Sequence, residues 1–154
     1  MSSNKESYKR VGVSRQIDVN GTVRPVSDEL VRVLLVEDNF CDSDVFVYGV
    51  KHHGVNFPID VARDAEEALA MIAAKTYDII VLDRILPRGF YGCEIAERLI
   101  ADPVTRDIPR IGIGSGFEER HFSLFHAIHQ KNGSNYMQGV VRSLRELGGN
   151  NISE

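Results

Sequence analysis

Two short runs constrain this chain more than anything else in it: 31–36 (Val-Arg-Val-Leu-Leu-Val) and 78–82 (Asp-Ile-Ile-Val-Leu). Both have strand length, and both are nearly continuous in aliphatic and β-branched residues rather than alternating. Strands covered on both faces of a parallel sheet read this way, whereas half-exposed strands do not. Each run also stops on acid, Glu37 and Asp38 after the first and Asp83 after the second. Parallel strands need long crossovers, and the intervening sequence supplies them. Asp42, Ser43 and Asp44 suit the start of a helix that runs to His53, because their oxygens accept from orphan backbone N–H groups. Asp64 caps a second helix with Ala65, Ala68, Leu69 and Ile72 on one face. A third, with Ile95, Ala96, Leu99 and Ile100 turned inward, ends before Pro103.

A weaker strand, 58–62, lies between the first two helices, and another, 108–113, follows the third and is loosened by Gly112. Phe122, Leu124, Phe125 and Ile128 predict a fourth helix that closes near Gly133. Residues 135–138 are then a poor fifth strand, and Val140, Val141, Leu144 and Leu147 form a last helix stopped by Gly148-Gly149. Five strand–helix pairs imply an α/β fold with a doubly wound parallel sheet and right-handed crossovers. In such sheets ligands gather beyond the carboxyl ends of the strands.

Composition removes the competing classes. The chain has 154 residues, 43% of them hydrophobic and 26% charged, enough for one domain with its own core. No apolar run reaches the ~18–20 residues of a membrane span, and the start has no apolar leader. Cys41 and Cys93 stand apart, with no zinc or disulfide spacing, and a net charge of −4 argues against nucleic acid as the main partner. The expectation is a soluble protein of the cytoplasm. Residues 1–30 differ from the rest: they are polar, with Lys5, Lys9, Arg10 and Arg15 against Glu6 at the start. Residues 16–26 alternate around Asn20-Gly21, the signature of a small hairpin arm. Residues 148–154 form a polar tail.

If the two strong strands are neighbours, Glu37, Asp38 and Asp83 converge. Like charges so placed raise one another's pKa, and a hard divalent cation such as Mg²⁺ resolves the conflict. An aspartate beside such an ion can act as a nucleophile toward a phosphoryl group.

The residues Val-Leu-Leu-Val-Glu37-Asp38-Asn39, followed by Asp83-Arg-Ile-Leu-Pro87, resemble the receiver domain of two-component response regulators. The resemblance covers 31–147, strongly over its first half and weakly over its last third. It implies a flavodoxin-like (βα)5 fold with strand order 2-1-3-4-5. It also implies that Asp83 accepts phosphate from a sensor histidine kinase or phosphotransfer protein. Asp38 and Asp83 would hold Mg²⁺, with Glu37 acting through water and the Ile85 carbonyl completing the set. Gly92 resembles the glycine that follows the proline. The loop 99–109 and the Val-Glu-Asp-Asn start are similar to single-domain regulators paired with phytochrome-type kinases.

The pattern fails in two places. Receivers carry a hydroxyl residue at the end of the fourth strand and a lysine at the end of the fifth, and both bind phosphoryl oxygens. Counted from Pro109, the hydroxyl position falls on Gly114, or on Ser115 with a shift of one. With Tyr136 as the switch aromatic, the lysine position falls on Gly139, and Lys131, ahead of that strand, is not expected to substitute. The loss predicts weak coupling of phosphorylation to conformation. It keeps open a second reading, a pseudo-receiver that serves as a phosphorylation-independent interaction or dimerisation module. Otherwise the expectation is a stand-alone receiver. It would not be an enzyme, would signal by protein contacts on the fourth-to-fifth-helix face, and would be a homodimer.

Several smaller features have plain readings. Gly112, Gly114 and Gly116 lack the spacing and lysine of a nucleotide loop. His121, His126 and His129 lack metal-ligand partners and read as surface residues. Phe117 and Phe122 suit either the core or a partner surface. Arg84, directly after Asp83, could guide a phosphodonor or pair with a nearby acid, and structural pairing is the expectation. Ile85 stands where a phosphatase would need a second aspartate.

Overall fold

The computed structural model describes residues 15–17, 23–25 and 31–149. Strands β1 (Arg15–Ile17) and β2 (Val23–Pro25) pair antiparallel, Arg15 opposite Pro25 and Ile17 opposite Val23. The expected Asn20-Gly21 turn between them, the remainder of the 1–30 extension and most of the 148–154 tail lie outside the described residues.

The body alternates strand and helix: β3 (Val33–Val36), α1 (Phe40–His52), β4 (Ile59–Ala62), α2 (Ala65–Ala74), β5 (Ile79–Asp83), α3 (Gly92–Ala101), β6 (Arg110–Ile113), β7 (Ala127–His129) and α4 (Tyr136–Leu147). The five body strands form one parallel sheet in the order β4-β3-β5-β6-β7. Counted within the body this is 2-1-3-4-5, the flavodoxin-like order expected from the sequence. Every residue of β3, β5 and β6 is buried, which accounts for the unbroken apolar runs of β3 and β5.

The pleat divides the core in two. Leu34, Val36, Ile80 and Leu82 meet α2 and α3 through Ala65, Ala68, Ile95, Ala96 and Leu99. Val33, Leu35, Ile79, Val81, Ile111 and Ile113 meet α1 and α4 through Phe46, Val50, Val140, Val141 and Leu144. The helix starts follow their caps, the Asn39 side chain accepting from Asp42 N–H and the Asp64 side chain from Glu67 N–H.

The last third corrects the sequence expectation. Where a fourth helix was expected, the chain makes a six-residue 3-10 segment, Glu119–Leu124, and then enters β7. The apolar spacing that looked helical serves two elements. Phe122 and Leu124 belong to the 3-10 segment, buried Phe125 closes it, and Ile128 is a strand residue paired with Gly112. Ser123, His126 and His129 are poor helix formers, and the His126 N–H is taken by the Arg110 carbonyl at 2.8 Å. The fifth strand therefore comes earlier than 135–138, and that stretch is the N-cap and first turn of α4.

Candidate functional site

Register alone assembles the acidic edge. Val36 pairs with Leu82, so the next residues, Glu37 and Asp83, stand side by side at the carboxyl ends of adjacent strands. By the two-residue alternation both fall on the α1/α4 side of the sheet. Glu37 is 1% exposed and Asp83 7%, while Asp38 faces solvent. The three offer carboxylate oxygens that all lie within 4.8 Å of one another. Burial pushes the Glu37 carboxyl up to about 7, the Asp83 charge adding to the rise and hydrogen bonds from Lys131 and the Asn39 N–H opposing it.

The loop after β3 is fixed by Arg63, whose guanidinium donates to the Glu37 carbonyl at 3.2 Å and to Ser43 Oγ at 2.8 Å while lying over the Phe40 ring. Gly92 packs against β5 so closely that a Cβ would strike the Asp83 carbonyl, and its N–H donates to the Arg84 carbonyl at 2.9 Å.

The cation of the cluster is Lys131, and this is the second correction. With β7 ending at His129, Lys131 stands two residues beyond the fifth strand. Its Nζ is bonded to Glu37 and lies 3.0 Å from Asp42 Oδ2 and 3.3 Å from Asp83 Oδ2. Burial lowers its pKa, but the hydrogen-bonded carboxylates outweigh this and hold it well above the ordinary lysine value. Gly139, the expected lysine position, is instead a residue of α4, where a Cβ would come within 2.7 Å of His129 Nδ1. Tyr136 is not on a strand; it opens α4, and burial beside these charges raises its phenol pKa.

Both corrections have one origin, the displaced fifth strand. One signal could have found Lys131, since it is the only lysine after Lys75. Asp42, read from sequence only as a helix cap, is a second residue the cluster adds.

A cavity of about 400 Å³ between β7 and the 3-10 segment is lined by Phe117, Phe122, Phe125 and Ile128. A smaller one, about 270 Å³, opens at the acidic edge and is lined by Asp83, Arg84, Ile85, Gly114, Ser115 and Lys131. It gathers most of the sequence-predicted phosphoryl-contact residues. Among the described residues Arg84 is not in the ion pair expected of it; its Nε–H donates to the Ser115 carbonyl. His126 is exposed, as the sequence reading expects, with its Nδ1 accepting the Arg110 N–H at 3.1 Å, whereas His129 is half-buried and its Nε2 lies 2.8 Å from Ser143 Oγ. Burial lowers the pKa of both.

No family model matches the chain. Among curated relatives, it is 36% identical over 78 residues to the response regulator PleD of Caulobacter vibrioides, covering 51% of this chain and 16% of PleD. It is 32% identical over 80 residues to the autoinducer 2 sensor kinase/phosphatase LuxQ of Vibrio harveyi, covering 51% of this chain and 9% of LuxQ. The chain thus spans only a small part of these proteins. Among solved structures, the phosphorylated cyanobacterial phytochrome response regulator RcpA superposes with a TM-score of 0.64 at 25% identity, over 75% of this chain and 91% of RcpA. The bacteriophytochrome response regulator RtBRR superposes at 0.66 with 23% identity, over 77% and 78%.

Parallel 2-1-3-4-5 sheet, acidic edge and these likenesses together define a response regulator receiver (CheY-like) domain of two-component signalling. Receiver domains are signalling modules, not enzymes. Among the described residues, no helix is long and apolar enough to cross a membrane.

Proposed function

We propose that this chain is a phosphoryl-accepting receiver in which Asp83 takes a phosphoryl group from a phosphohistidine and the phosphorylated form signals through protein contacts. The observation that carries the reading is Lys131 Nζ, held among Glu37, Asp42 and Asp83 at the carboxyl edge. An Asp83 carboxylate oxygen attacks phosphorus. The new O–P bond forms as the N–P bond breaks, and the imidazole keeps the electron pair and takes a proton from water. Lys131 neutralises an oxygen of the transferred group.

Three hard oxygen donors within 4.8 Å of one another fit Mg²⁺, which Glu37, Asp38 and Asp83 would hold together with the Ile85 carbonyl. When bound it supplies neutralisation of charge on the phosphoryl oxygens. Asp83 keeps one side open to the 270 Å³ cavity, where a transferred phosphoryl group has room.

Two-component signalling implies a histidine kinase upstream. The loop 99–109 and the likeness to RcpA and RtBRR support a phytochrome-type kinase as the donor, directly or through a phosphotransfer protein. We take the working form to be a cytoplasmic homodimer, with the 1–30 extension as an appendage of the receiver body.

The test is direct. Purified protein incubated with acetyl phosphate and Mg²⁺ should gain one phosphoryl group by intact mass, and Asp83→Asn should gain none. A wild type that stays unlabelled where an ordinary receiver is labelled would leave the pseudo-receiver reading in its place.

A further inference from the structure

The cavity beside Asp83 is flanked by two cations in very different states. Lys131 is saturated, with three carboxylates around its ammonium group. Arg84 is not: among the described residues no carboxylate lies within 4.0 Å of its guanidinium. Its backbone is fixed on both sides, the N–H donating to the Ile113 carbonyl and the carbonyl accepting from Gly92, each at 2.9 Å. Its side chain crosses the exit of β6. The Nε–H donates to the Ser115 carbonyl, and the guanidinium lies on Gly116, where a Cβ would stand 3.3 Å from Cζ and Nη2.

Adjacent residues of a strand point to opposite faces, yet β5 ends at Asp83 and both side chains converge on Gly114. A Cβ there would be 3.2 Å from Arg84 Cβ and 3.3 Å from Asp83 Oδ1. The φ of +129° at Gly114 is one that side-chain-bearing residues rarely adopt. The end of β6 is thus cut down to bare backbone where an arginine and the acceptor carboxylate approach each other. Arg84 lines the cavity beside the acceptor and, on its other side, a cavity of about 360 Å³ shared with Glu94, Glu97 and Glu118. A guanidinium with no carboxylate in contact among the described residues suits a tetrahedral oxyanion, because its planar fork matches two phosphoryl oxygens at once.

We propose that Arg84 binds the phosphoryl group on Asp83 alongside Lys131, and that in doing so it lets go of Ser115 and frees the exit of β6. This rests on the phosphoacceptor reading of Asp83. The freed segment leads directly to a hydrophobic wall. Phe117 follows Ser115 and Gly116, its ring covers Gly112 so tightly that a Cβ there would be 2.9 Å from Cζ, and it meets the Phe125 ring edge-on at 5.4 Å. Phe117 and Phe125 line the 400 Å³ groove beside β7. Phosphorylation is thereby converted, through one arginine and one carbonyl, into a rearrangement of the aromatic wall where an ordinary helix has been reduced to a 3-10 turn.

The probe is beryllium trifluoride, an anion that coordinates an aspartate carboxylate as a phosphoryl group would. Its Mg²⁺-dependent affinity is measured by calorimetry on wild type, Arg84→Ala and Arg84→Lys. Arg84→Ala should bind at least tenfold more weakly, and Arg84→Lys should fall between. Mg²⁺ alone should bind as tightly as in wild type or more so, since a nearby positive charge has gone. Amide exchange at 114–117 should change on addition of the probe to wild type and not to Arg84→Ala. Arg84→Gln, which keeps the stem over Gly116, carries the same expectation should Arg84→Ala lose its fold. An arginine-free variant that binds the probe like wild type would overturn the proposal while leaving the acceptor reading intact. A folded wild type that binds Mg²⁺ and ignores the probe would overturn both.

Discussion

The two edges of the sheet handle buried charge in opposite ways. At the amino edge Asp78 is 5% exposed, and its Oδ2 accepts the Arg32 N–H at 2.7 Å. Arg110, as deeply buried, spends its guanidinium on the carbonyls of Arg106, Ile108 and Leu124. Both take their hydrogen bonds from backbone and, among the described residues, neither is in an ion pair, although the nearby Arg32 and Asp107 charges favour their ionised forms. At the carboxyl edge the charges face one another instead: Glu37, Asp38 and Asp83 against a single ammonium group, beside a cavity. Backbone-satisfied charge does structural duty, because its partners are fixed by the fold. Mutually opposed charge beside open space stays sensitive to any ion or phosphoryl group that enters.

The sharpest way to break this contrast is to remove the ammonium group. Lys131→Ala should slow acetyl phosphate labelling of Asp83 about 10- to 100-fold, the loss typical of removing one fixed donor to a developing oxyanion. Mg²⁺ affinity, read by titration, should hold or rise as the repulsion goes. Thermal stability without Mg²⁺ should fall by about 2 kcal/mol, since buried Glu37 loses its partner. Labelling at the wild-type rate would show that Lys131 merely props the carboxylates apart.

That lysine also marks where sequence reading stopped working. β3 and β5 are buried on both faces, so continuous apolar runs exposed them, and the acids at their ends could be placed from the sequence. Register then brought Glu37 beside Asp83 as neighbouring strands require. β7 gave no comparable signal. It is three residues long and only half-buried, and it sits at the sheet's edge, where periodicity is weakest. Phe122, Leu124 and Phe125 mimicked a helical face while serving a 3-10 turn, which pushed the expected strand eight or nine residues too far along. Tyr136 and Gly139 inherited roles that belong to an earlier segment. Arg84 was visible in the sequence, but its freedom from carboxylate partners was not, because that depends on what the β6 exit places opposite it.

The amino edge offers the next test, through pH. Burial lifts the Asp78 carboxyl from 3.8 to about 6, the Arg32 N–H and charge only partly opposing it. Below the lower value the group is protonated in folded and unfolded chains alike and costs nothing. As pH rises toward 6 the unfolded chain sheds the proton first, so stability declines across that window. The full cost above it is at most ~3 kcal/mol. Asp78→Asn keeps an oxygen for the Arg32 N–H and cannot ionise. Allowing for its weaker hydrogen bond, a net gain of about 1–2 kcal/mol at pH 7 is expected. The gain should vanish by pH 4 in urea titrations, with acetyl phosphate labelling unchanged. A gain that persists at pH 4 would assign the effect to packing rather than charge.

The smallest effect concerns what stands behind Lys131. Gly139 lets α4 approach β7 until the His129 ring fills the place of a side chain, and His129 in turn meets Ser143. Gly139→Ala gains helix propensity worth ~1 kcal/mol but drives a methyl into that ring, which must tilt and strain its contact with Ser143. Two opposed terms of similar size leave a net loss of about 0.5–1 kcal/mol, read as a drop of a few degrees in Tm. Labelling of Asp83 should stay within twofold of wild type, because nothing at 139 reaches the acidic edge. A Gly139→Ala variant that kept its Tm but lost labelling would place position 139 at the phosphoryl site after all, and would return the last third of the chain to the strand register that its sequence first suggests.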